Sequence, residues 1–383
     1  MSGLVVDVLY PNKLGRWRNV EIKFFIRELN TDVLIFKAND FAGNRFDFDW
    51  DFCNDDLEGI LEDYNILIFD PKYNHLNKWN TRVDGTIFNN KFGGSYLITK
   101  KTDFNLSSYT YVYHMFLSCY LLFKKYFPYT EHQFIHLYPG GGWQATLEEL
   151  HTINTSVKLI STHPTTTNLL ILTRTHDFIE LKTGLMFDKN DKIVPKKINN
   201  KKITVCFSSL GISVDKGDDS YLQIVDRYNQ YYPSDYVEFI SIGNCKTHPH
   251  ITRYPPMDYI QLEKFYQTKV DIYLNLETGY FLNGWPLGLE AVKEGAVLIT
   301  TDRHGVSDYY THPFYVSNNT SKFVDFIKEL HDDRDLLMKK SVMCQEFVLE
   351  YSSYQNQQLK IKDYIEETIG SNVNIKNDLL NYD

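Results

Sequence analysis

Short apolar segments of strand length alternate with amphipathic segments along most of the chain, and polar loops separate them. The segments that predict strands are Leu4–Tyr10, Asp32–Phe36, Tyr64–Phe69, Gln133–Tyr138, Val157–Ser161, Ile203–Phe207, Val237–Ile242, Asp271–Leu276 and Val297–Thr301. The segments that predict helices are Val20–Leu29, Leu57–Leu61, Tyr109–Tyr126, Ala145–His151, Asp219–Tyr231, Leu262–Thr268, Ser321–Leu330, Asp335–Tyr351 and Gln355–Thr368. This alternation predicts parallel sheets with helices on both faces, the α/β class.

A polar stretch at Phe187–Lys202 interrupts the alternation, which then restarts with a new buried strand. At 383 residues the chain is too long for one ordinary core. We therefore predict two Rossmann-like, doubly wound domains, whose loops at the carboxyl ends of the strands face a central cleft. The predicted parts are an N-terminal domain at 1–195, a C-terminal domain at 196–352, a helix at 353–370 that crosses back to the first domain, and a flexible tail at 371–383.

The net charge and the cysteine spacing argue against several kinds of partner and site. A net charge of -9 and a pI near 5.8 argue against a nucleic-acid partner, which needs a basic face. The five cysteines are scattered and never in CxxC spacing, so we expect free thiols, a cytoplasmic location and no metal site. The first residues lack the basic region and the long apolar run of a signal peptide.

The segment Tyr109–Phe123 is the nearest approach to a membrane helix, but it is too short to span a bilayer and contains His114. Two alternatives stay open for it. It is either a buried helix of the first domain or a membrane-surface helix that would give peripheral membrane association.

The pattern richest in chemistry lies between Val270 and Asp308. A short strand is followed by a turn of glycine and asparagine, and then by a helix that Pro286 begins and Gly295 ends. Free N–H groups at the start of such a helix bind anions such as phosphate. Glu290, one turn inside the helix, disfavours phosphate but accepts hydrogen bonds from vicinal hydroxyls, such as those of ribose. The two features together indicate a nucleotide-sugar site.

Three weaker motifs lie at the ends of predicted strands. Lys216 and Gly217 precede a helix, and the lysine either pairs with a diphosphate or lies in an ordinary surface turn. Gly141 and Gly142 allow a ligand to approach the backbone, although neither a P-loop nor a dinucleotide fingerprint is present. His163 is either a structural histidine or a group that faces the cleft.

Taken together, these residues resemble the family-4 glycosyltransferases of GT-B fold, which transfer sugars from nucleotide donors with retention of configuration. The resemblance is clearest over 202–351, in the Lys216–Gly217 turn and in the Gly-Trp-Pro…Glu-Ala-Val-Lys-Glu-Gly run at 284–295. It is looser over residues 1–200, where it rests on the loop at Gly15 and the strand that ends at His163.

The resemblance implies a role for each matching position, with the acceptor on the first domain and the donor on the second. Lys216 would bind the donor diphosphate, and Glu290 would accept the ribose hydroxyls. The residues implied in catalysis are Glu290, Lys216, His163 and Asn283. The residues implied in donor binding are Ser208, Ser209, Gly211, Lys216, Arg253, Tyr254, Pro255, Asn283, Gly284, Trp285, Pro286, Leu287 and Glu290. The residues implied on the first domain's side of the cleft are Gly15, Arg16, Arg18, Gly141 and Gly142.

Two positions depart from the family pattern. Leu282 stands where the family has its first glutamate, so Asn283 is the implied sugar contact. The arginine that normally precedes the diphosphate lysine is absent, and serines at 208 and 209 occupy that loop. Arg16 or Arg18 would then supply the positive charge.

The resemblance implies a metal-independent glycosyltransferase without a cofactor. It would use a UDP- or GDP-linked sugar as donor and a glycan, glycoconjugate or other hydroxyl compound as acceptor. Two alternatives stay open: a catalytically inactive GT-B protein that binds a glycan, a nucleotide or a partner protein, and a nucleotide-sugar epimerase.

Overall fold

Two sheets built largely from parallel strands carry the fold, one in each of two units. The structure is a computed structural model. It describes residues 2–8, 24–25, 28–29, 31–36, 66–70, 75–79, 96–99, 105–127, 131–137, 150–162, 164–181, 190–196, 202–209, 217–232, 236–257, 259–276, 285–302, 313–351 and 353–380. The first unit comprises Met1–Leu181 with Gln357–Asp383, and the second comprises Lys182–Asn356.

The first sheet contains nine strands within the described residues, in the order β5-β4-β3-β2-β1-β6-β7-β8-β9. These strands are β1 Gly3–Val8, β2 Thr31–Phe36, β3 Ile66–Asp70, β4 His75–Trp79, β5 Tyr96–Thr99, β6 Tyr111–His114, β7 Gln133–Leu137, β8 Lys158–Ser161 and β9 Phe178–Glu180. The pairs β3–β4 and β4–β5 are antiparallel, and the other neighbours are parallel.

The second sheet is wholly parallel within the described residues, in the order β12-β11-β10-β13-β14-β15. Its strands are β10 Ile203–Ser209, β11 Val237–Gly243, β12 Ile251–Tyr254, β13 Ile272–Asn275, β14 Val297–Thr300 and β15 Tyr315–Val316. Counted from β10, this is the 3-2-1-4-5-6 order of a Rossmann sheet, and the order reverses between β10 and β13.

Helices connect these strands in both units. Those of the first unit include α1 Leu117–Tyr126 and α2 Pro164–Thr173. Those of the second unit are α3 Asp218–Tyr231, α4 Tyr259–Lys269, α5 Trp285–Lys293, α6 Thr320–Asp332 and α7 Arg334–Tyr351. A last helix, α8 Tyr354–Leu380, returns to the first unit, where Tyr364 contacts Phe134 of β7 with ring centroids 5.8 Å apart.

The sequence pattern predicts one helix over Tyr109–Tyr126, and this prediction is wrong. Tyr111–His114 is the strand β6, and the helix begins only at Leu117. All four residues of β6 are buried; Tyr113 packs against Phe25 on one face, and His114 packs against Tyr120 and Phe123 of α1 on the other. A strand covered on both faces has a continuous apolar pattern like that of a buried helix, and tyrosine and valine favour strands. The alternative of a membrane-surface helix over this segment is therefore also wrong.

Several other boundaries differ from those predicted. Residues 190–196, within the polar stretch, belong to the second unit, where the backbone N–H of Val194 donates to Gln345 Oε1 at 2.9 Å. The helix α2 was not predicted, although Pro164 suits a first helical position. The helix α8 continues past Gly370 to Leu380, so most of the predicted tail is helical. The predicted helix Leu57–Leu61 lies outside the described residues.

Candidate functional site

The second sheet offers a ligand site where its strand order reverses, because open parallel sheets bind ligands at the carboxyl ends of the strands at such a point. Ser208 and Ser209 end β10 at this edge, and Leu276 follows β13. The carbonyl of Ser209 accepts a hydrogen bond from the backbone N–H of Asn244 at 2.9 Å. This bond holds the ends of β10 and β11 in register.

Gly217, at the start of α3, also lies at this edge of the sheet. Its φ of 88° lies in the left-handed region, and it is the N-cap residue of α3. A Cβ at this position would overlap the backbone of Leu276, so only glycine fits. Gly217 therefore lies against the end of β13, beside the point where the strand order reverses.

The predicted helix around Glu290 is confirmed. The helix α5 begins at Trp285, one residue before Pro286, and ends at Lys293. Gly295 follows it with a φ of 93°. The N–H of Gly295 donates to Val292 O at 2.9 Å, and the N–H of Ala296 donates to Ala291 O at 3.0 Å. This pair of bonds is the Schellman motif that ends a helix at glycine.

Glu290 is half-buried on α5 and lies near two buried tyrosines, Tyr266 on α4 and Tyr273 on β13. Burial raises the pKa of both phenols well above the usual value, and the charge of Glu290 raises it further. Gly288, two residues before Glu290, lies against the Tyr273 ring, since a Cβ there would be 3.8 Å from Tyr273 Cε1. The carboxylate is thus placed beside the reversal point of the sheet.

Sequence reasoning missed the partner of Ser208. Its Oγ forms a short hydrogen bond with the hydroxyl of Tyr273. The register pairs Tyr273 with Cys206, two residues before Ser208, so both side chains point to the same face of the sheet. A tyrosine on a buried strand is a polar group that needs a partner, and this is the signal that could have identified it.

The segment Arg253–Pro255 lies at the end of β12, which is the edge strand of the sheet. Arg253 and Pro255 are exposed, and Tyr254 is half-buried. The Tyr254 ring packs edge-on against Phe265 of α4 with centroids 4.7 Å apart. The structure therefore separates this segment from Ser208 by one intervening strand, β11.

Many predicted site residues fall outside the described residues. They are Gly15, Arg16, Arg18, Gly141, Gly142, His163, Gly211, Lys216, Asn283 and Gly284. For Trp285, Pro286 and Leu287 the structure describes the helical backbone but not the side chains.

Two further findings concern metals and membranes. Within the described ranges, no three side chains of histidine, cysteine, aspartate or glutamate come together in a way that could hold a metal ion. His248 Nε2 lies 3.0 Å from Asp226 Oδ1. Every helix in the same ranges is too short or too polar to cross a bilayer.

The comparison with known proteins rests on structure, because no protein-family model and no curated protein matches this sequence. HepE of Anabaena, solved in complex with UDP, has a TM-score of 0.63 and 11% identity, over 96% of this chain and 100% of that chain. A glycosyltransferase from Rickettsia africae has a TM-score of 0.62 and 12% identity, over 96% and 98%. TarM has a TM-score of 0.60 and 11% identity, over 95% and 98%.

These likenesses span both units of the chain and establish its fold. The chain has an α/β fold of the GT-B type, in which each unit contains a Rossmann-like sheet, and the predicted fold class is confirmed. At such low identity the comparisons bear on the fold alone.

Proposed function

We propose that this chain is a glycosyltransferase that moves a sugar from a nucleotide-diphosphate sugar to a hydroxyl group of a carbohydrate or glycoconjugate. The donor site is in the second unit and the acceptor site in the first. Transfer proceeds with retention of configuration and without a metal ion. We also assign the protein to the cytoplasm, which agrees with buried, unbridged thiols at the four cysteines within the described residues.

The observation that carries this proposal is the position of Glu290. A half-buried carboxylate on α5 lies beside the point where the second sheet reverses its strand order. A carboxylate accepts hydrogen bonds from two adjacent hydroxyls, and ribose presents such a pair. The N-terminal end of the same helix favours phosphate oxygens. One helix therefore offers groups for both parts of a nucleoside diphosphate.

The solved structures of similar fold favour particular ligands. HepE is described in complex with UDP and with UDP-glucose. A mutant of S. aureus TarM is described in complex with fondaparinux, alpha-GlcNAc-glycerol and UDP. We therefore place UDP-linked sugars ahead of GDP-linked sugars as donors for this chain.

The proposed chemistry is electrostatic. Lys216 and the N–H groups at the start of α5 stabilise the departing nucleoside diphosphate, with Ser208, Ser209 and Gly211 around the phosphates. The bond between the anomeric carbon and the phosphate oxygen breaks, and the acceptor oxygen bonds to that carbon from the same face. The acceptor proton passes to the departing phosphate. Asn283 contacts the sugar, and the segment Arg253–Pro255 lies towards the base.

The remaining predicted site residues belong to the first unit. They are His163, Gly15, Arg16, Arg18, Gly141 and Gly142, and their roles stay predictions. Peripheral membrane association is not proposed, because the segment on which it rested contains the buried strand β6.

The first test is a thermal-shift panel of UDP, GDP, ADP and their common sugar conjugates. A ligand at about a hundred times its Kd stabilises the folded state by about 2.7 kcal/mol, which gives a clear rise in Tm. We expect a rise for one base only, and we expect Lys216→Ala to abolish it. If no nucleotide raises Tm, the inactive, partner-binding alternative replaces this proposal.

Product analysis then separates the enzymatic alternatives. Incubation with the bound donor and a panel of carbohydrate acceptors should yield a new glycoside and free nucleoside diphosphate. An epimerised sugar, or a free glycal formed without an acceptor, would instead identify an epimerase.

A further inference from the structure

The ring of Tyr273 is held on two sides within the layer between the second sheet and its helices. Tyr266 of α4 packs edge-on against it, with ring centroids 5.8 Å apart and planes at 88°. Gly288 of α5 lies on another side, where a Cβ would be 3.8 Å from Tyr273 Cε1, at ordinary van der Waals distance. Tyr273 is 2% exposed. Because the ring has little freedom, the direction of its hydroxyl is fixed.

That hydroxyl bonds to Ser208 Oγ, on the strand next to it in the sheet. Ser208 is half-buried and lies near the carboxyl end of β10, so the pair connects a buried ring to the ligand edge. Two hydroxyls that share one hydrogen bond use only one of their two protons. If Tyr273 donates to Ser208, the serine keeps its own proton for an acceptor at the edge, such as a phosphate oxygen.

The same hydroxyl also lies near Glu290. Burial, above all, raises the pKa of Tyr273, and neighbouring groups that include Glu290 raise it further. Tyr273 therefore stays protonated at physiological pH and remains able to donate a hydrogen bond. The Tyr273–Ser208 bond joins β13 to β10 at the reversal point, where the phosphate and ribose parts of a nucleotide would lie.

We propose that Tyr273 is a positioning residue of the donor site: its hydroxyl orients the Ser208 hydroxyl towards the diphosphate of the bound nucleotide. This inference rests on the proposed function, because it names a further residue of the same site. The Tyr273–Ser208 pair also compensates in part for the missing arginine of the loop after β10. A neutral hydroxyl held in a fixed direction donates a hydrogen bond to the phosphate in place of a charged, flexible side chain.

The test is a double-mutant cycle with Tyr273→Phe, Ser208→Ala and the double variant. UDP is the probe, and its Kd is measured by titration calorimetry. A neutral hydrogen bond contributes about 0.5–1.5 kcal/mol, so each single variant should weaken UDP binding by about two- to tenfold. The double variant should weaken it no further than either single variant, because both remove the same interaction.

The matched control is Tyr228→Phe on α3. Tyr228 is 1% exposed, and its hydroxyl has no hydrogen-bond partner within the described residues. This variant should leave the Kd for UDP unchanged. In the transfer assay, Tyr273→Phe should raise the KM for the donor and leave kcat within about twofold, because the bond acts on donor binding.

Three outcomes would overturn the inference. They are an unchanged Kd for UDP in Tyr273→Phe, losses in the single variants that add in the double variant, and an equal loss in Tyr228→Phe, which would indicate general loosening of the second unit. In each of these cases the unaltered protein still binds UDP, so the proposed function stands. If the unaltered protein binds no nucleotide, the proposed function fails first and this inference fails with it.

Discussion

The backbone of Gly217 lies directly against the carbonyl group of Leu276. The two residues are far apart in the chain, but Gly217 lies at the start of α3, and Leu276 follows β13, one of the two strands between which the order of the second sheet reverses. No side chain fits between them, so the start of α3 and the end of β13 form one surface. The proposed diphosphate site depends on this contact.

Replacing Gly217 should therefore lower stability. In Gly217→Ala the left-handed backbone costs about 1–2 kcal/mol, and the overlap with Leu276 adds to that cost. Urea unfolding should show a lower midpoint, and UDP should bind more weakly. The matched control is Gly370→Ala on α8, where a Cβ meets no atom within 4 Å. That variant should be more stable by about 0.5–1 kcal/mol, because alanine favours a helix. A Gly217→Ala protein as stable as the parent would contradict the contact.

Removing the carboxylate of Glu290 should weaken nucleotide binding more than it weakens the fold. Hydrogen bonds to a charged group contribute about 1.5–3 kcal/mol, so Glu290→Gln should raise the Kd for UDP by about ten- to a hundredfold. Titration calorimetry measures this directly. The control is Glu238→Gln on β11, where Glu238 pairs with Lys269 at 3.5 Å. If Glu290→Gln and Glu238→Gln bind UDP with equal affinity, Glu290 does not belong to the nucleotide site.

The carboxyl group of Glu294 should make stability depend on pH. It is nearly buried at the end of α5, and Lys293 Nζ lies 3.8 Å from it, 3.4 Å from Glu263 and 3.2 Å from Asp191. Burial raises the pKa of Glu294 from 4.5 to about 7. The folded state therefore holds this proton more tightly than the unfolded state. The free energy of unfolding should fall as the pH rises from about 4.5 to about 7.

Glu294→Gln should remove that part of the pH dependence, and the variant should gain stability over the parent at about pH 8. Urea unfolding at several pH values measures both effects. Glu346→Gln, at an exposed position on α7, is the control and should keep the parent's pH dependence. A Glu294→Gln profile parallel to that of the parent would refute the prediction.

The buried imidazole of His114 should make the free energy of unfolding fall as the pH is lowered, which is opposite to the effect of Glu294. Its Nε2–H donates to Gln133 Oε1 at 3.0 Å, and burial lowers its pKa from 6.5 to about 3. Between these two pKa values the unfolded state binds a proton on the imidazole and the folded state does not. The free energy of unfolding should therefore fall as the pH drops from about 6.5 towards 3. His114→Phe should be less stable at neutral pH but lose less stability in acid. The control is His151→Gln, at an exposed position. An acid slope unchanged in His114→Phe would contradict this assignment.

The helix α5 shows what could be predicted from neighbouring residues alone. Pro286 and Gly295 act through their own backbone geometry, and the structure begins and ends the helix within about two residues of them. The alternation of strands and helices likewise identified the α/β class, because each period reflects which side of an element is buried. Both signals are contained within a few consecutive residues.

The strand β6 shows where such signals fail. Tyr113 and His114 point to opposite faces of the sheet, and both are buried: Phe25 packs against Tyr113, and Tyr120 and Phe123 of α1 pack against His114. The residues around Tyr111–His114 do not indicate these contacts, so the segment was predicted as a helix. The cover on both faces removes the alternation that marks a strand.

The sequence by itself determined the α/β class, the helix that carries Glu290 and the glycine at the start of α3, since periodicity and backbone preference are local properties. Only the tertiary structure decided that Tyr273 bonds to Ser208 and that Gly217 meets Leu276. These pairs depend on strand order and register. Strand order brings β10 beside β13, and register then selects which side chains share a face, so the contacts exist only after the whole sheet has formed.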